Sequence, residues 1–459
     1  MAFTTQQSRQ QHERDQGAPG SDGQPAVIEP AGSQETTGAV AELVRHLLGA
    51  DPRVTVMLWD GTVVSGRDPV GTLQVRSPDV LRRVIWAPGE LGLARAFVSG
   101  ELDVEGDVIE VLAALRDSAR GIGPGALPTA LRAARAVGAL GRPLAPPAEE
   151  ARVRGRRHSK RRDEQAVRHH YDVGNEFYEL VLGDTMTYSC AYFDQPDRSL
   201  SEAQTAKHEL ICRKLGLHEL QGARLLDVGC GWGSMAIHAA RRHGASVVGI
   251  TISPEQAKRA RERAAAAGVD DQVEIRLQDY RDLSGEEFDA ISSIGMFEHV
   301  GRRRTAEYFE TLRTLLRPRG RLLNHAISST DGSRLSGRSF TGRYVFPDGE
   351  LLDVGDVVLA MQDAGFEVRD VEGLREHYAL TLRAWVANLE AGWDRAVELV
   401  GEPRARVWRL YMAGSALGFE DGGLGLHQVL GVLRSDDGAS GMPSTRAGWV
   451  ADTTITLPS

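Results

Sequence analysis

Leu225-Leu-Asp-Val-Gly-Cys-Gly-Trp-Gly233 decides how the middle of this chain folds. An apolar run ends in an acidic residue, three glycines follow at alternate positions, and a helical pattern starts behind them. That order reads as a buried strand, a tight turn and a helix start. Gly229 and Gly231 carry no side chain, so a ligand can lie against their backbone. The Gly-x-Gly-x-Gly spacing is not the Gly-x-Gly-x-x-Gly of dinucleotide sites, and an Asp in place of a P-loop lysine argues against a phosphate cradle. On these residues alone, a glycine-rich turn in another doubly wound domain is the competing reading.

Working outward, apolar and β-branched runs predict strands at 224–228, 246–250, 273–277, 288–294 and 320–327. Helical periodicity places helices at 233–243, 254–267 and 304–316. Short connections between them predict a parallel sheet with helices on both faces. Strand-like segments at 366–371 and 427–433 would complete the sheet, and the largely helical stretch at about 333–425 is too long for a loop and should cap the site.

Upstream, residues 37–140 read as a small α+β domain: a helix, a hairpin turning at Asp60-Gly61, a strand at Leu73–Arg76 and four further helices. It shows no catalytic constellation. Residues 1–36 are rich in Gln, Ser, Gly, Glu and Pro and are expected to be disordered, with no apolar core of signal-peptide type. A Pro-rich and basic linker spans 141–165, the catalytic domain 166–435 and a tail 436–459. Within the linker, Arg152–Arg162 holds seven Lys or Arg in eleven residues and no acid. It reads as a solvated linker, as a polybasic segment on an anionic membrane surface or, as a third option, as a nuclear or nucleic-acid targeting run.

A net charge of -9 and a pI near 5.9 argue against a general nucleic-acid binder. No apolar run approaches the ~18 residues needed to span a bilayer. Cys190, Cys212 and Cys230 form no Cys-x-x-Cys pair, which fits a reducing cytoplasm and gives no support for a metal site.

Several further motifs stand in order along the chain: His170-Tyr-Asp-Val-Gly-Asn, Thr187-Tyr-Ser-Cys-Ala-Tyr-Phe193, the glycine stretch, Gly249-Ile-Thr-Ile-Ser-Pro-Glu-Gln256, Gln278-Asp-Tyr-Arg-Asp-Leu283, Met296-Phe-Glu-His-Val-Gly301 and His377-Tyr-Ala-Leu-Thr-Leu-Arg-Ala-Trp385. In this order the chain resembles cyclopropane-fatty-acid synthases and mycolic acid cyclopropane synthases over roughly 160–435. The resemblance implies a Rossmann-like, S-adenosylmethionine-dependent methyltransferase fold, and methylene addition to the cis double bond of an acyl chain. It also implies the cofactor residues: Tyr188 and Ser189 over the methionine part, Asp227, Gly229, Gly231 and Gly233 at the turn, and Thr251, Ile252 and Gln256 at the ribose. Tyr280, Arg281 and Ile294 fall beside the adenine. Thr251 stands where most methyltransferases place an acid, a departure usual in this family.

The same resemblance implies a bicarbonate ion as base. Glu298, His325 and Tyr378 match its side-chain holders, Cys190 and Ile327 its backbone contacts, and His170 a further active-site histidine. Ser415 stands where some relatives carry a cysteine, which weakens any covalent thiol mechanism. A carbocation on the chain can lead to a cyclopropane ring or to a 10-methylene group. Arg343–Glu350, Gly441–Trp449 and the extended N-terminus look more like the 10-methyl-branching enzymes. The expected partners are unsaturated phospholipid acyl chains, an anionic inner-leaflet surface, a separate flavin- or nicotinamide-dependent reductase and further subunits. The competing functions are a methyltransferase for a small soluble acceptor and a non-catalytic lipid-binding scaffold.

Overall fold

The computed structural model describes residues 33–49, 51–118, 126–151, 159–160, 162–163, 165, 173–195, 197–330, 332 and 339–450. His170, most of the basic run and residues 1–32 lie outside them. The first helix, α1 (Ser33–Leu48), starts inside the stretch expected to be tail. Strands β1 (Thr55–Met57) and β2 (Val63–Val64) form the expected hairpin: Gly61 takes φ +87° and the Thr62 N–H donates to Asp60 Oδ1 at 2.9 Å. Strand β3 (Thr72–Val75) runs parallel to β1, and β4 (Leu102–Glu105) pairs antiparallel to β3. That fourth strand is too short for its alternation to stand out in sequence. Helices α2 (Asp79–Trp86), α3 (Glu90–Val98), α4 (Val108–Ser118) and α5 (Leu127–Ala136) complete this part.

Two helices, α6 (Asn175–Leu182) and α7 (Leu200–Leu215), lead into the second sheet. A capping box of Ser199 and Glu202 starts α7, and Gly216 at φ +76° ends it. Then follow β5 (Arg224–Val228), α8 (Ser234–His243), β6 (Ser246–Thr251), α9 (Pro254–Ala266), β7 (Val273–Leu277), β8 (Phe288–Ile294), α10 (Thr305–Thr314) and β9 (Leu316–Ser329). β9 is longer than expected at both ends. After α11 (Phe340–Tyr344), β10 (Leu352–Asp353) and α12 (Val354–Asp363) come β11 (Glu367–Gly373), α13 (Arg375–Ala391), α14 (Trp393–Val400), α15 (Glu402–Glu420), β12 (Leu424–Val432) and α16 (Ala447–Val450). The sheet order is β11-β12-β9-β8-β5-β6-β7, with β10 against β9. From β9 to β7 the strands are parallel, while β12 is antiparallel to both β9 and β11.

The chain leaves β5 toward β6 on one side and returns to β8 on the other. Such a switch point opens a crevice beyond the carboxyl ends of the strands. Helices α13 and α15 roof that side. They share one apolar cluster with the N-terminal part, in which Phe97 and Val108 join Phe177, Trp385 and Met412. Arg406 on α15 reaches Asp103 on β4 at 2.9 Å. The N-terminal unit is therefore fused to the cap by a common core.

The linker and the tail need correction. Glu150 is buried in a two-pronged pair with Arg95, and the Ala151 N–H donates to the Arg343 carbonyl at 2.7 Å, so the linker's start is docked. The tail does not begin at 436: Gly441 accepts from Arg321 at 2.9 Å and Trp449 is buried in the core around α7 and α8.

Candidate active site

Beyond the ends of β5, β6 and β8 lies a cavity of about 1390 Å³, its open mouth included. Its floor is the glycine turn. Gly229 and Gly231 have φ +77° and +54°, and the N–H groups of Gly229 and Cys230 both donate to the Ile250 carbonyl, at 3.0 and 2.9 Å, which ties the turn to β6. A Cβ on Gly231 would meet nothing within 4 Å, whereas one on Gly229 would press on Met296 at 3.1 Å. Gly233 does not line the cavity. It sits at φ +81° with Ala260 3.2 Å from where a Cβ would be, so it is needed for the close packing of α8 on α9.

The other cofactor candidates, Tyr188, Ser189, Asp227, Thr251, Ile252, Gln256, Tyr280, Arg281 and Ile294, all line this cavity. Thr251 ends β6 and donates its hydroxyl to Gln256 Oε1 at 2.9 Å, while Ser253 caps α9 by accepting the Gln256 N–H. Arg281 is held by Asp279 at 2.8 and 2.5 Å and by Asp163 at 3.1 Å, with its guanidinium 5.5 Å from the centre of the Tyr280 ring. The segment carrying Tyr188 and Ser189 is stitched down on both sides. Gln204 on α7 donates to the Ser189 carbonyl at 2.8 Å, and the Ala191 N–H donates to Thr381 on α13 at 3.0 Å. Met186, just before it, is held at φ +48°, an uncommon conformation for a side-chain-bearing residue.

Four of the six catalytic candidates gather behind the cavity wall. Ile294 lines the cavity and is paired in register with His325 on β9. Glu298 sits in the 3-10 turn Phe297–His299, and its Oε1 accepts the Ile327 N–H at 2.8 Å. Its Oε2 is buried with no partner, and burial pushes the carboxyl up to about 7. His325 Nδ1 lies 3.2 Å from Gln428 Nε2 on β12, while its Nε2 is buried without a partner. Burial, with Lys207 and Lys214 nearby, holds the ring well below the usual histidine range, hence neutral. Cys190 is fully buried, with Sγ 3.7 Å from the Leu374 carbonyl, and burial pushes the thiol far up, so its sulfur is no nucleophile.

Leu374 in turn pairs with Leu426, which stands opposite Ile327, and one turn later on α13 comes Tyr378. The Tyr378 ring packs 4.7 Å from Phe419 and edge-on to Trp385 at 6.0 Å. Thus Cys190, Glu298, His325 and Ile327 are tied by contacts to one another or to a shared neighbour, with Tyr378 a helical turn away. His170 lies outside the described residues.

Similarity to known proteins agrees with this geometry. Residues 158–429 match the family model described as mycolic acid cyclopropane synthetase. A probable fatty acid methyltransferase of Mycobacterium tuberculosis is 45% identical over 397 residues, 84% of this chain and 92% of that protein. The chain belongs to the mycolic acid cyclopropane synthetase family. A tuberculostearic acid methyltransferase of the same organism is 33% identical over 421 residues, 89% of this chain and 95% of that one. The solved mycolic acid cyclopropane synthase CmaA1, in complex with SAH and CTAB, superposes with a TM-score of 0.55 at 34% identity, covering 58% of this chain and 97% of its own. As a member of this family the chain is an S-adenosylmethionine-dependent methyltransferase with the Rossmann-like fold.

The structure adds residues that motif reading passes over. Lys207 is fully buried on α7, donates to Ser189 Oγ at 2.9 Å and lines the cavity. Burial lowers its pKa to about 7, opposed by Cys190 and Asp227, while burial raises Asp227 to about 6, opposed by its hydrogen bond from Ser292 and by Lys207. A signal was present: Lys207 falls on the stripe Ala203, Ala206, Leu210 and Ile211, where a helix of this pattern buries its apolar face. Tyr411 on α15 was equally hidden. It is buried, with the side chains of Tyr188 and Ser415 beside it.

Proposed function

We propose that this chain methylates the cis double bond of unsaturated acyl chains in phospholipids, with bicarbonate as base, and that the product is the 10-methylene chain. The observation that carries the reading is a pair of buried polar atoms without partners, Glu298 Oε2 and His325 Nε2, set behind the cofactor cavity. Buried polar groups are nearly always paired, so two such atoms, one on a residue bonded to Ile327 and one two residues along the same strand, call for a polar ligand.

An alkene is a weak nucleophile with no acidic proton to remove first. Its π electrons form a C–C bond to the sulfonium methyl as the S–CH₃ bond breaks, and positive charge is left on the neighbouring chain carbon. Water would trap that charge as an alcohol and must be kept out. Tyr188 stacks on Trp385 at 5.2 Å and meets Trp408 at 6.0 Å, and Trp408 meets Tyr411 at 5.9 Å, so aromatic rings seal this side. Their π faces also favour a nearby cation.

The residues fit bicarbonate. Gln428 donating to His325 Nδ1 fixes the ring proton on Nε2, which becomes a donor. Glu298 Oε2 would accept the anion's O–H, with Tyr378 as a second donor. Bicarbonate held there would supply the base that removes one proton. A 1,2-hydride shift moves the charge onto the carbon bearing the new methyl, and loss of a methyl proton then leaves C=CH₂. Loss of the methyl proton before that shift closes a cyclopropane ring instead. The full-length similarity to a tuberculostearic acid methyltransferase favours the first course, and the similarity to CmaA1 supports the second. Completing a methyl branch needs two further electrons from a separate flavin- or nicotinamide-dependent reductase.

Activity in carbonate-depleted buffer should fall and return on adding bicarbonate. Undiminished turnover there would overturn the base. The proposed site of action is the anionic inner leaflet, reached from the cytoplasm as a peripheral enzyme. Among the described residues no helix is long and apolar enough to cross a membrane.

A further inference from the structure

Helices α7 and α8 pack side by side on the outer face of the sheet and turn an unusual set of side chains toward each other. Glu209 and Cys212, three residues apart, share one face of α7. His238 and His243 come from α8, the second as its last residue before Gly244 ends the helix. Ligand atoms of Cys212, His238 and His243 all lie within 4.8 Å of one another. Glu209 Oε2 sits 3.2 Å from His238 Nε2 and 3.0 Å from His243 Nε2. The Cys212 side chain is fully buried and in no disulfide, and those of Glu209, His238 and His243 are each exposed by less than a tenth.

We propose that Glu209, Cys212, His238 and His243 form a binding site for a zinc-class divalent cation between α7 and α8. The donor set is two imidazoles, one thiolate and one carboxylate, the mixture that borderline-soft ions such as Zn²⁺ prefer. Part of the spacing already matches tetrahedral coordination. Bonds of ~2.0–2.1 Å to N and O put two such ligands roughly 3.3 Å apart. The Glu209 carboxylate already stands at 3.0 and 3.2 Å from the two imidazole nitrogens; the thiol, within 4.8 Å of both imidazoles, has to close in on them and on the carboxylate. An outer support is also present: Arg213 donates to the other carboxylate oxygen of Glu209 at 2.7 Å. Motif spacing cannot show such a site, because its ligands come from two helices with a strand between them. Its place gives it reach: the His208 ring lies 5.6 Å from that of His238 and also lines the cofactor cavity. An ion here would fix α7, which carries Gln204 and Lys207, against α8.

The test uses the full chain without any histidine tag, stripped with chelator and dialysed against Zn²⁺. One zinc per chain should survive desalting. Co²⁺ in its place should give a near-ultraviolet thiolate-to-cobalt charge-transfer band. Cys212→Ser should abolish that band, and His243→Gln should lower zinc affinity by about 100-fold, with circular dichroism unchanged. Should Cys212→Ser fail to fold, His238→Gln replaces it in the affinity measurement. A wild-type chain that takes up no stoichiometric metal overturns the proposal whatever the variants do, leaving the cluster an ion-pair network around Glu209. Undiminished binding in the folded variants overturns it as well.

Discussion

Burial tunes Glu298 away from its ordinary state. Its carboxyl is raised from 4.5 to about 7 by burial, so the folded state holds a proton that the unfolded chain releases. Stability attributable to this group is therefore full below pH ~4.5 and falls as pH rises to about 7, by about 3 kcal/mol in all. Glu298→Gln removes that penalty. In carbonate-free buffer its melting temperature should exceed wild type at pH 8 and match it near pH 4.5, whereas an equal offset at both would deny the shift. The same variant should lose turnover, as should His325→Ala and Tyr378→Phe, by about 10²–10⁴ with cofactor affinity little changed. Full activity in all three would refute their roles. At Gly231 the space for a side chain is open cavity, so Gly231→Val should abolish cofactor binding in calorimetry, and unchanged affinity would remove the ligand from that floor. The glycines could be read because the turn needs positive φ at fixed spacing. At Gly233 the same pattern accompanies close packing instead, its φ +81° bringing it against Ala260.

At the scale of elements, the sheet was legible because its central strands are buried on both faces and so carry short apolar or β-branched cores between short turns. β4 was not, because four residues of alternation between two helices carry too little pattern. What no periodicity can show is how segments far apart in the chain are pinned together. The loop holding Tyr188 and Ser189 depends on Thr381, whose hydroxyl accepts the Ala191 N–H at 3.0 Å in a buried setting. Thr381→Val leaves that N–H unpaired, at a cost of about 1–3 kcal/mol. The expected result is a lower melting temperature and a higher KM for the cofactor with kcat less affected. A variant that melts like wild type with unchanged KM would show the loop held by Gln204 and Lys207 without Thr381.

For the whole molecule, the N-terminal unit and the cap form one core, which composition could not reveal because each part reads as a domain by itself. The basic run divides in a way its charge count hid. Arg162 is turned inward on buried Asp348 beside the cavity, and the exposed Lys160 is partly neutralised by its pair with Asp282. The membrane attraction proposed for the run then rests on Arg152, Arg154, Arg156, Arg157 and Arg161. Changing these five to Gln should weaken binding to anionic vesicles as strongly as raised salt does. Arg162→Gln should leave vesicle binding intact, and a reversed pattern would make the five arginines a plain linker. The central claim, transfer of a methyl carbon to an acyl double bond with loss of one proton, is tested most directly by the product. Purified chain, oleoyl phospholipid vesicles and S-adenosylmethionine carrying an isotopic label in its methyl should give a lipid whose labelled carbon resonates as a terminal olefinic CH₂. A label found in a cyclopropane ring would contradict the product, and no label in the lipid would contradict the account.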